Sequence, residues 1–326
     1  MRRLLIALCV LGTLLLAAPG WAVEGGAPPA HVDVINVGGL VDPVQSDFVR
    51  RSIHEAETGG ATALIIQLNS GGGVVSQSKV DTLAFEISHA AVPVAVWVGP
   101  SGKGRAIGSA FAILRAAGIV GVAPGTRIGN APPPVFGGPN PLAGRTIGSA
   151  DALRSGFAQI DAPTLVSFVG QLDGKQVGGR TIATDVQVVQ GPKGPTQKPQ
   201  VQVRFAKVGL LASLMHTASS PSVAYLLLVI GLLLMVLEFF TAGIGVAAVV
   251  GAGCLVLSAY GLTVLPTRWW AVALLVVAVA GYAIDLQAGA PRFWTGIGTL
   301  ALVIGTVTLV HGQHLSVLAM VAGVAG

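Results

Sequence analysis

Residues 63–73 read Ala-Leu-Ile-Ile-Gln-Leu-Asn-Ser-Gly-Gly-Gly, a short apolar run that leads directly into three glycines. Such an apolar run is typical of a strand buried in a parallel sheet. Three successive glycines lose more backbone entropy on folding than other residues would, so they need a structural cause. Two explanations fit: a tight turn from strand to helix, or bare N–H groups that face a substrate carbonyl with a helix N-terminus behind them.

Strand and helix patterns alternate on both sides of this stretch. Residues 32–41 alternate apolar and polar side chains as a strand does, and 43–56 have the apolar spacing of a helix. Further patterns predict a helix over 76–89, a strand over 92–98, a helix over 104–117 and a strand over 119–122. This order predicts an α/β domain with a mostly parallel sheet.

Charged residues are scarce and unevenly placed. They make up 10% of the 326 residues, against about 25% in soluble domains, and residues 221–326 contain only Glu238, Arg268, Asp285 and Arg292. This part consists of apolar runs over 222–240, 242–262, 269–286 and 295–310. Each run approaches the roughly 20 residues that cross a bilayer, so we predict an all-α transmembrane bundle of about four helices over 221–326. Glu238 lies near the end of its run, which favours a structural role at the interface.

The first 22 residues have the pattern of a secretory signal peptide. Arg2 and Arg3 precede an apolar run, and the small residues at 20 and 22 occupy positions −3 and −1 before a cleavage site. A retained anchor is the alternative. Either export route predicts a multi-pass cell-membrane protein whose residues 23–220 are extracytoplasmic. The net charge of +5 does not come from a run of Lys and Arg residues, so we expect no nucleic-acid partner.

The order of the motifs carries a resemblance to a known family. Asn69-Ser70-Gly71-Gly72-Gly73, Gly99-Pro100-Ser101-Gly102, a helix of small residues and Ala123-Pro124-Gly125-Thr126 follow one another. This series is similar to the ClpP/crotonase-like domain of the NfeD family, which are membrane-anchored relatives of ClpP-class serine peptidases. The resemblance implies such a domain over 23–177, a hairpin, linker and membrane-proximal segment over 178–220, and the bundle over 221–326. The soluble OB-like barrel that many members carry after the spans is expected to be absent.

The resemblance also implies where the chemistry of a peptidase would lie. Family enzymes use a serine at the start of the helix after the Gly-Pro-Ser-Gly segment, which makes Ser109 the candidate nucleophile. Backbone N–H groups at Gly72, Gly73 and Val74 would form the oxyanion hole. An ungapped comparison instead places Gly108 on the family serine, and one helical residue turns a side chain by about 100°. Both alignments stay open.

The general base of such a peptidase has no clear equivalent. The family lysine should fall between Lys103 and Lys175, where this chain has no lysine, and the short segment 132–148 replaces the insertion expected to carry it. Arg145 stays protonated and cannot act as a base. His31, His54 and His89 are each expected to be solvated side chains.

The resemblance therefore predicts a membrane-anchored, catalytically degenerate protein that acts with stomatin- or flotillin-type membrane proteins. The alternative is an active serine endopeptidase that uses Ser109 and the Gly72–Val74 oxyanion hole. We expect no cofactor and no metal, because His311 and His314 are too few for a metal site. The lipid bilayer is a further partner, and a homo-oligomer stays open. Residues 205–215 have the apolar spacing of a helix, either an interfacial one or the last of the soluble domain.

Overall fold

The computed structural model describes residues 30–131, 141–191, 194–241, 245–288 and 293–310. The predicted signal peptide, His311 and His314 lie outside the described residues. The strands are β1 His31–Val41, β2 Ala63–Gly73, β3 Val94–Val98, β4 Arg105–Ile107, β5 Ile119–Val122, β6 Arg127–Gly129, β7 Thr146–Gly148, β8 Ile160–Asp161, β9 Gln176–Val177, β10 Arg180–Thr181, β11 Val186–Gly191, β12 Gly194–Pro199 and β13 Gln202–Ala206. The helices are α1 Pro43–Thr58, α2 Gln77–Ser88, α3 Ser109–Ala116, α4 Ser149–Arg154, α5 Leu165–Gln171, α6 Leu210–Ala218, α7 Pro221–Thr241, α8 Val246–Val264, α9 Trp269–Ala288 and α10 Phe293–Thr308.

β2 is the centre of the nine-stranded main sheet of the N-terminal domain. Its apolar residues alternate between two cores: Leu64 and Ile66 join the core on one face, and Ile65 joins the core on the other. All three are fully buried, which explains why this run is continuously apolar. Every pairing in the sheet is parallel except β6 with β7. The predicted α/β fold class is confirmed.

The sheet splits along one edge of β2. β3 pairs with Leu64–Leu68, and β4 then joins the same edge through Ser70 and Ala106. Asn69 lies at the split, where its side-chain oxygen accepts a hydrogen bond from the Arg105 N–H at 3.2 Å. The layer that continues through β6 and β7 therefore diverges from the layer that continues through β5 and β8, and the sheet curves.

Three sequence predictions about element boundaries were wrong. The triglycine is the end of β2 rather than a turn, because Gly72 and Gly73 still pair with Leu40 and Val41 of β1. The helix predicted from 104 begins at Ser109, because Arg105–Ile107 form β4. The helix predicted over 205–215 begins at Leu210, because the preceding residues form β13.

β13 and α6 attach the chain before the membrane firmly to the N-terminal domain. β13 extends the main sheet by pairing in parallel with β1 from His31 to Ile35, so this stretch of the predicted linker is part of the domain. α6 lies along α1: His216, near the end of α6, contacts Asp42 at the start of α1, and Leu211 lies near Arg51 farther along it. α6 is thus in contact with the domain, and its exposed Leu210, Leu211 and Leu214 also fit the interfacial alternative.

The C-terminal part forms two antiparallel helical hairpins. α7, α8 and α9 are long and apolar enough to cross a membrane, and α10 is a shorter apolar helix. Each hairpin is closed by an acid from its first helix. Glu238 accepts a hydrogen bond from the Gly245 N–H at 2.7 Å, and Asp285 accepts bonds from the N–H and hydroxyl of Thr295 at 2.6 and 2.7 Å. The structural role expected for Glu238 is confirmed.

Small residues allow the helices of the first hairpin to pack closely. A Cβ on Gly251 would lie 3.1 Å from the Gly231 carbonyl oxygen and 3.1 Å from Leu234 Cβ. Gly253, two residues along the same helix, has no atom within 4 Å of the corresponding position. Close contact at small residues is a general source of helix association in membranes.

This contrast gives a matched pair of variants. Gly251→Leu is expected to destabilise the bundle by about 1–3 kcal/mol, the usual cost of overpacking, whereas Gly253→Leu should change stability by less than about 0.5 kcal/mol. Unfolding of the full chain in detergent micelles by a denaturing detergent measures both. Equal effects of the two variants would contradict the packing described.

Candidate functional site

The triglycine end of β2 lies directly against the start of α3. A Cβ on Gly73 would lie 2.7 Å from Ser109 Oγ and 2.9 Å from the Val41 carbonyl oxygen, and a Cβ on Gly108 would lie 3.3 Å from Gly72 Cα. Contacts under 3.0 Å exclude a side chain at Gly73. The predicted proximity of the triglycine to the helix that bears Ser109 is confirmed.

Gly108 is the residue that turns the chain from β4 into α3. Its φ of 62° and ψ of −126° lie in a region that favours glycine. A sharp strand-to-helix turn of this kind is where acyl-transfer enzymes with a nucleophile elbow expose the attacking hydroxyl. In this chain the turn residue has no side chain, and Ser109 is the first residue of the helix instead.

The Ser109 hydroxyl forms no hydrogen bond with any lysine or histidine among the described residues. Lys103 lies in an exposed turn between β3 and β4, and the Arg145 Nε–H donates to the Pro141 carbonyl oxygen. His54 and His89 are exposed as expected. His31 is not: it is only 2% exposed, and its Nε2 lies 3.2 Å from Arg204 Nη1. The expectation that His31 is solvated was wrong, because β13 covers it.

The predicted oxyanion residues differ in what their backbone groups do. The Val74 N–H donates to the Val41 carbonyl oxygen at 2.9 Å, so its hydrogen bond goes into the sheet. The Gly72 N–H has a long bond of 3.4 Å to Ser70 Oγ, and that hydroxyl in turn donates to the Gly72 carbonyl oxygen at 2.7 Å. The oxyanion hole stays a prediction. Because the Val74 N–H is used in the sheet, the prediction now rests on the N–H groups of Gly72 and Gly73.

A buried aspartate and a histidine that sequence reasoning missed lie nearby. Asp42 is fully buried and caps α1 by accepting the Gln45 N–H at 2.8 Å through Oδ1. Its other oxygen, Oδ2, lies 2.9 Å from Nδ1 of His216 on α6. The pair joins residues 174 positions apart, so no local pattern indicates it. The aspartate in front of Pro43 is a visible cap signal, but the histidine has none.

The surroundings of His216 favour its charged form. The hydrogen bond to Asp42 raises the pKa of His216 above its usual value, and the charge of Asp42 and the Gly38 carbonyl act in the same direction against partial burial. In the neutral form, Nδ1–H donates to Asp42 and Nε2 accepts from the Gln45 amide at 3.1 Å. Protonation forms an ion pair with Asp42 inside the domain, and the Gln45 amide must then turn its oxygen, which has no other partner among the described residues, toward the Nε2–H.

A cavity of about 660 Å³ opens at the carboxyl ends of β1 and β2, beside the first residue of β4. Its walls are Gly39, Leu40, Asn69, Gly71, Arg105, His216, Thr217, Ser219, Ser220, Pro221, Ser222 and Val223. Ligands of open α/β sheets bind at this end of the strands. Here the same end meets the membrane helices, because Leu40 and Val74 pack against their core. Among the described residues no group of three His, Cys, Asp or Glu could hold a metal.

The chain combines a curved α/β domain that has a peptidase-like turn with a bundle of apolar helices. This combination defines the class as a membrane protein with a protease-like domain. Residues 222–326 match the family model of the NfeD integral membrane domain. This match confirms the resemblance seen in the sequence.

Two curated relatives agree with the family. The chain is 24% identical to "Membrane-bound protease PH1510" of Pyrococcus horikoshii over 96% of this chain and 74% of the relative. It is also 24% identical to "Membrane protein NfeD1b" of Bacillus subtilis over 77% of this chain and 61% of the relative.

Solved structures give weaker likenesses. The "1510-N membrane protease specific for a stomatin homolog" from Pyrococcus horikoshii has a TM-score of 0.45 at 20% identity, covering 58% of this chain and 98% of that one. An enoyl-CoA hydratase from Thermoplasma volcanium has a TM-score of 0.32 at 15% identity, covering 38% of this chain and 63% of that one.

The turn at Gly108 makes a stability prediction. Gly108→Ala is expected to cost about 1–3 kcal/mol, because a residue with a Cβ is strained at this φ and meets Gly72. Ser109→Ala should cost less than about 0.5 kcal/mol, because the hydroxyl has no hydrogen bond among the described residues. Denaturant unfolding of the full chain in micelles compares the two. An unchanged free energy of unfolding for Gly108→Ala would contradict the positive φ of this residue and its contact with Gly72.

The histidine pair makes a pH prediction. Because the folded-state pKa is raised, the stabilisation is fully present below the usual value of 6.5 and is lost as the pH rises through the higher folded value. His216→Phe should cost about 2 kcal/mol at pH 6, the worth of a charged hydrogen bond, and less at alkaline pH. Free energies of unfolding across this range measure it, with the exposed His54→Phe as control. A pH-independent cost would contradict the ion pair.

Proposed function

We propose that the protein is a catalytically degenerate member of its class that binds membrane-protein partners without cleaving them. The observation that carries this proposal is that Ser109, the first residue of α3, has no lysine or histidine partner among the described residues. A serine hydroxyl needs a neighbouring base to take its proton. Gly108, the other candidate for the family serine, has no hydroxyl at all.

The binding surface in this proposal is the free edge of the triglycine. Beyond Ser70, Gly72 and Gly73 pair with β1 on one edge, and Gly71 lies at a bulge between paired residues. No strand among the described residues pairs with the other edge of these glycines. An extended polypeptide can add to an exposed sheet edge through main-chain hydrogen bonds. The absence of side chains at the three glycines lets such a polypeptide approach closely.

The partner in this proposal is a stomatin- or flotillin-type membrane protein. One of the similar solved structures is a protease specific for a stomatin homolog from Pyrococcus horikoshii. The support in this chain is the position of the glycine edge. It lies where the sheet meets the membrane helices, since Val74, directly after Gly73, packs against their core. A partner held in the same membrane would present its segments at this level.

The alternative is an active serine endopeptidase that uses Ser109. One observation favours it: Ser109 Oγ lies close against Gly73, beside the predicted oxyanion groups. Lys103 would have to move toward the serine to act as base, because it lies in an exposed turn.

A serine-reactive phosphonate probe separates the two functions. The full chain in micelles and its Ser109→Ala variant are treated in parallel, and covalent labelling is read by intact mass. We expect equal background labelling in both. Labelling that depends on Ser109 would establish the peptidase and end the proposal.

Binding is tested with a purified stomatin-type protein of the same organism in a shared membrane. Gly71→Trp, which fills the free edge, is expected to reduce capture of the partner by at least tenfold, in line with a lost hot spot of about 1.4 kcal/mol or more. Gly209→Trp is the control, because Gly209 is exposed with no atom within 4 Å of an added Cβ. Equal capture by both variants would exclude the glycine edge as the binding surface.

A further inference from the structure

The cavity beside the glycine edge lies at the level where the first span begins. One side is formed by the strand ends at Gly39 and Gly71, and the opposite side by Ser220, Pro221 and Val223. Pro221 is the first residue of α7, a helix long and apolar enough to cross a membrane. In a membrane crossed by α7, the cavity would therefore lie at the level of the headgroup layer.

The ionisable side chains that line the cavity are Arg105 and His216. None of the described lining residues is acidic. The nearby Asp42 carboxylate does not line the cavity, because it is fully buried behind His216. Arg105 forms no ion pair with a described residue, in contrast to Arg50, which is paired with Glu86 at 2.8 Å. The cavity thus presents a positive charge that the described protein leaves uncompensated.

The other polar groups of the cavity suit an anion. The hydroxyls of Thr217 and Ser219 donate to backbone carbonyl oxygens of α6. The Ser220 hydroxyl has no hydrogen bond among the described residues and lies in the same wall, so it is free to donate. Leu40 and Val223 add apolar surface next to these donors. A guanidinium pairs with a phosphate through two parallel N–H bonds.

We propose that this cavity binds the phosphate group of an anionic phospholipid from the adjoining leaflet, held by Arg105 and Ser220, with Leu40 and Val223 against its apolar part. The volume of about 660 Å³ is within the range of small-ligand pockets, about 300–1,000 Å³. Basic pockets at the membrane surface are known to select anionic headgroups. The inference does not depend on whether the glycine edge binds or cleaves a partner.

Thermal unfolding of the full chain in neutral detergent measures this binding, because a ligand of the folded state raises the midpoint with its concentration. The probes are short-chain phosphatidylglycerol, short-chain phosphatidylcholine and inorganic phosphate. We expect phosphatidylglycerol to stabilise the chain at concentrations at least tenfold lower than phosphatidylcholine. Phosphate is expected to act only at far higher concentrations, because it lacks the apolar part.

Arg105→Gln is expected to raise the half-saturating concentration of phosphatidylglycerol by about tenfold or more, the loss of one charged bidentate contact. Arg180→Gln is the matched control, because Arg180 is also exposed and lies on the separate β9–β10 hairpin. Ser220→Ala should give a smaller loss. Far-UV circular dichroism checks that each variant is folded.

Equal responses to the two lipids, or an unchanged response of Arg105→Gln, would overturn the proposal. A response to inorganic phosphate as strong as that to phosphatidylglycerol would make the cavity a site for a free anion and also overturn it. Failure of the lipid response with intact capture of the stomatin-type protein would refute this inference alone. If Arg105→Gln instead abolishes that capture and leaves the lipid response unchanged, the cavity belongs to the protein partner.

Discussion

The close backbone contact between the end of β2 and the start of α3 sets the geometry of the N-terminal domain. Gly73 lies so near Ser109 and the Val41 carbonyl that a Cβ there would be 2.7 and 2.9 Å from them, and a Cβ on Gly108 would lie 3.3 Å from Gly72 Cα. Because both partners lack a Cβ at the contact, the helix starts almost on top of the strand. This places the N-terminus of α3 beside the free edge of the glycines. Ser109, the first residue of that helix, thereby lies beside Gly73.

The second constraint is that the carboxyl end of the sheet meets the membrane. Leu40 and Val74 belong to the strand ends yet pack against the helical core. Asp42 holds the same corner, since one oxygen caps α1 and the other holds His216 of α6. A two-residue turn, Ser219 and Ser220, then leads from α6 into α7. The domain is therefore fixed close to the bilayer, and whatever binds at its strand ends is recruited at the membrane surface.

Local patterns were sufficient to predict the elements that are long and strongly periodic. The strand around Leu64–Ile66 is apolar because both of its faces are buried, and α7–α9 are apolar along nearly their whole length. The three residues of β4 are too few to show a period, so they were absorbed into the helix that follows. The sequence indicates strands before the membrane, but not that β13 pairs with β1 and so buries His31.

The candidate site was predictable only in part, for a physical reason. Three successive glycines are visible in a sequence and need a structural cause, because ordering them costs backbone entropy. In the structure the triglycine contacts the start of α3. The Asp42–His216 pair and the charge of the cavity arise from tertiary contacts between residues far apart in the chain. The motifs do not fix the position of a single residue, so two alignments differ by one and leave both Gly108 and Ser109 as equivalents of the family serine.

In the proposed function, the domain holds a membrane-protein partner without hydrolysing it. This is tested by the intact mass of a purified stomatin-type partner after long incubation with the full chain in a common membrane. We expect the partner to stay bound and to keep its full mass. Fragments of the partner that form with the wild-type chain and not with the Ser109→Ala variant would contradict it.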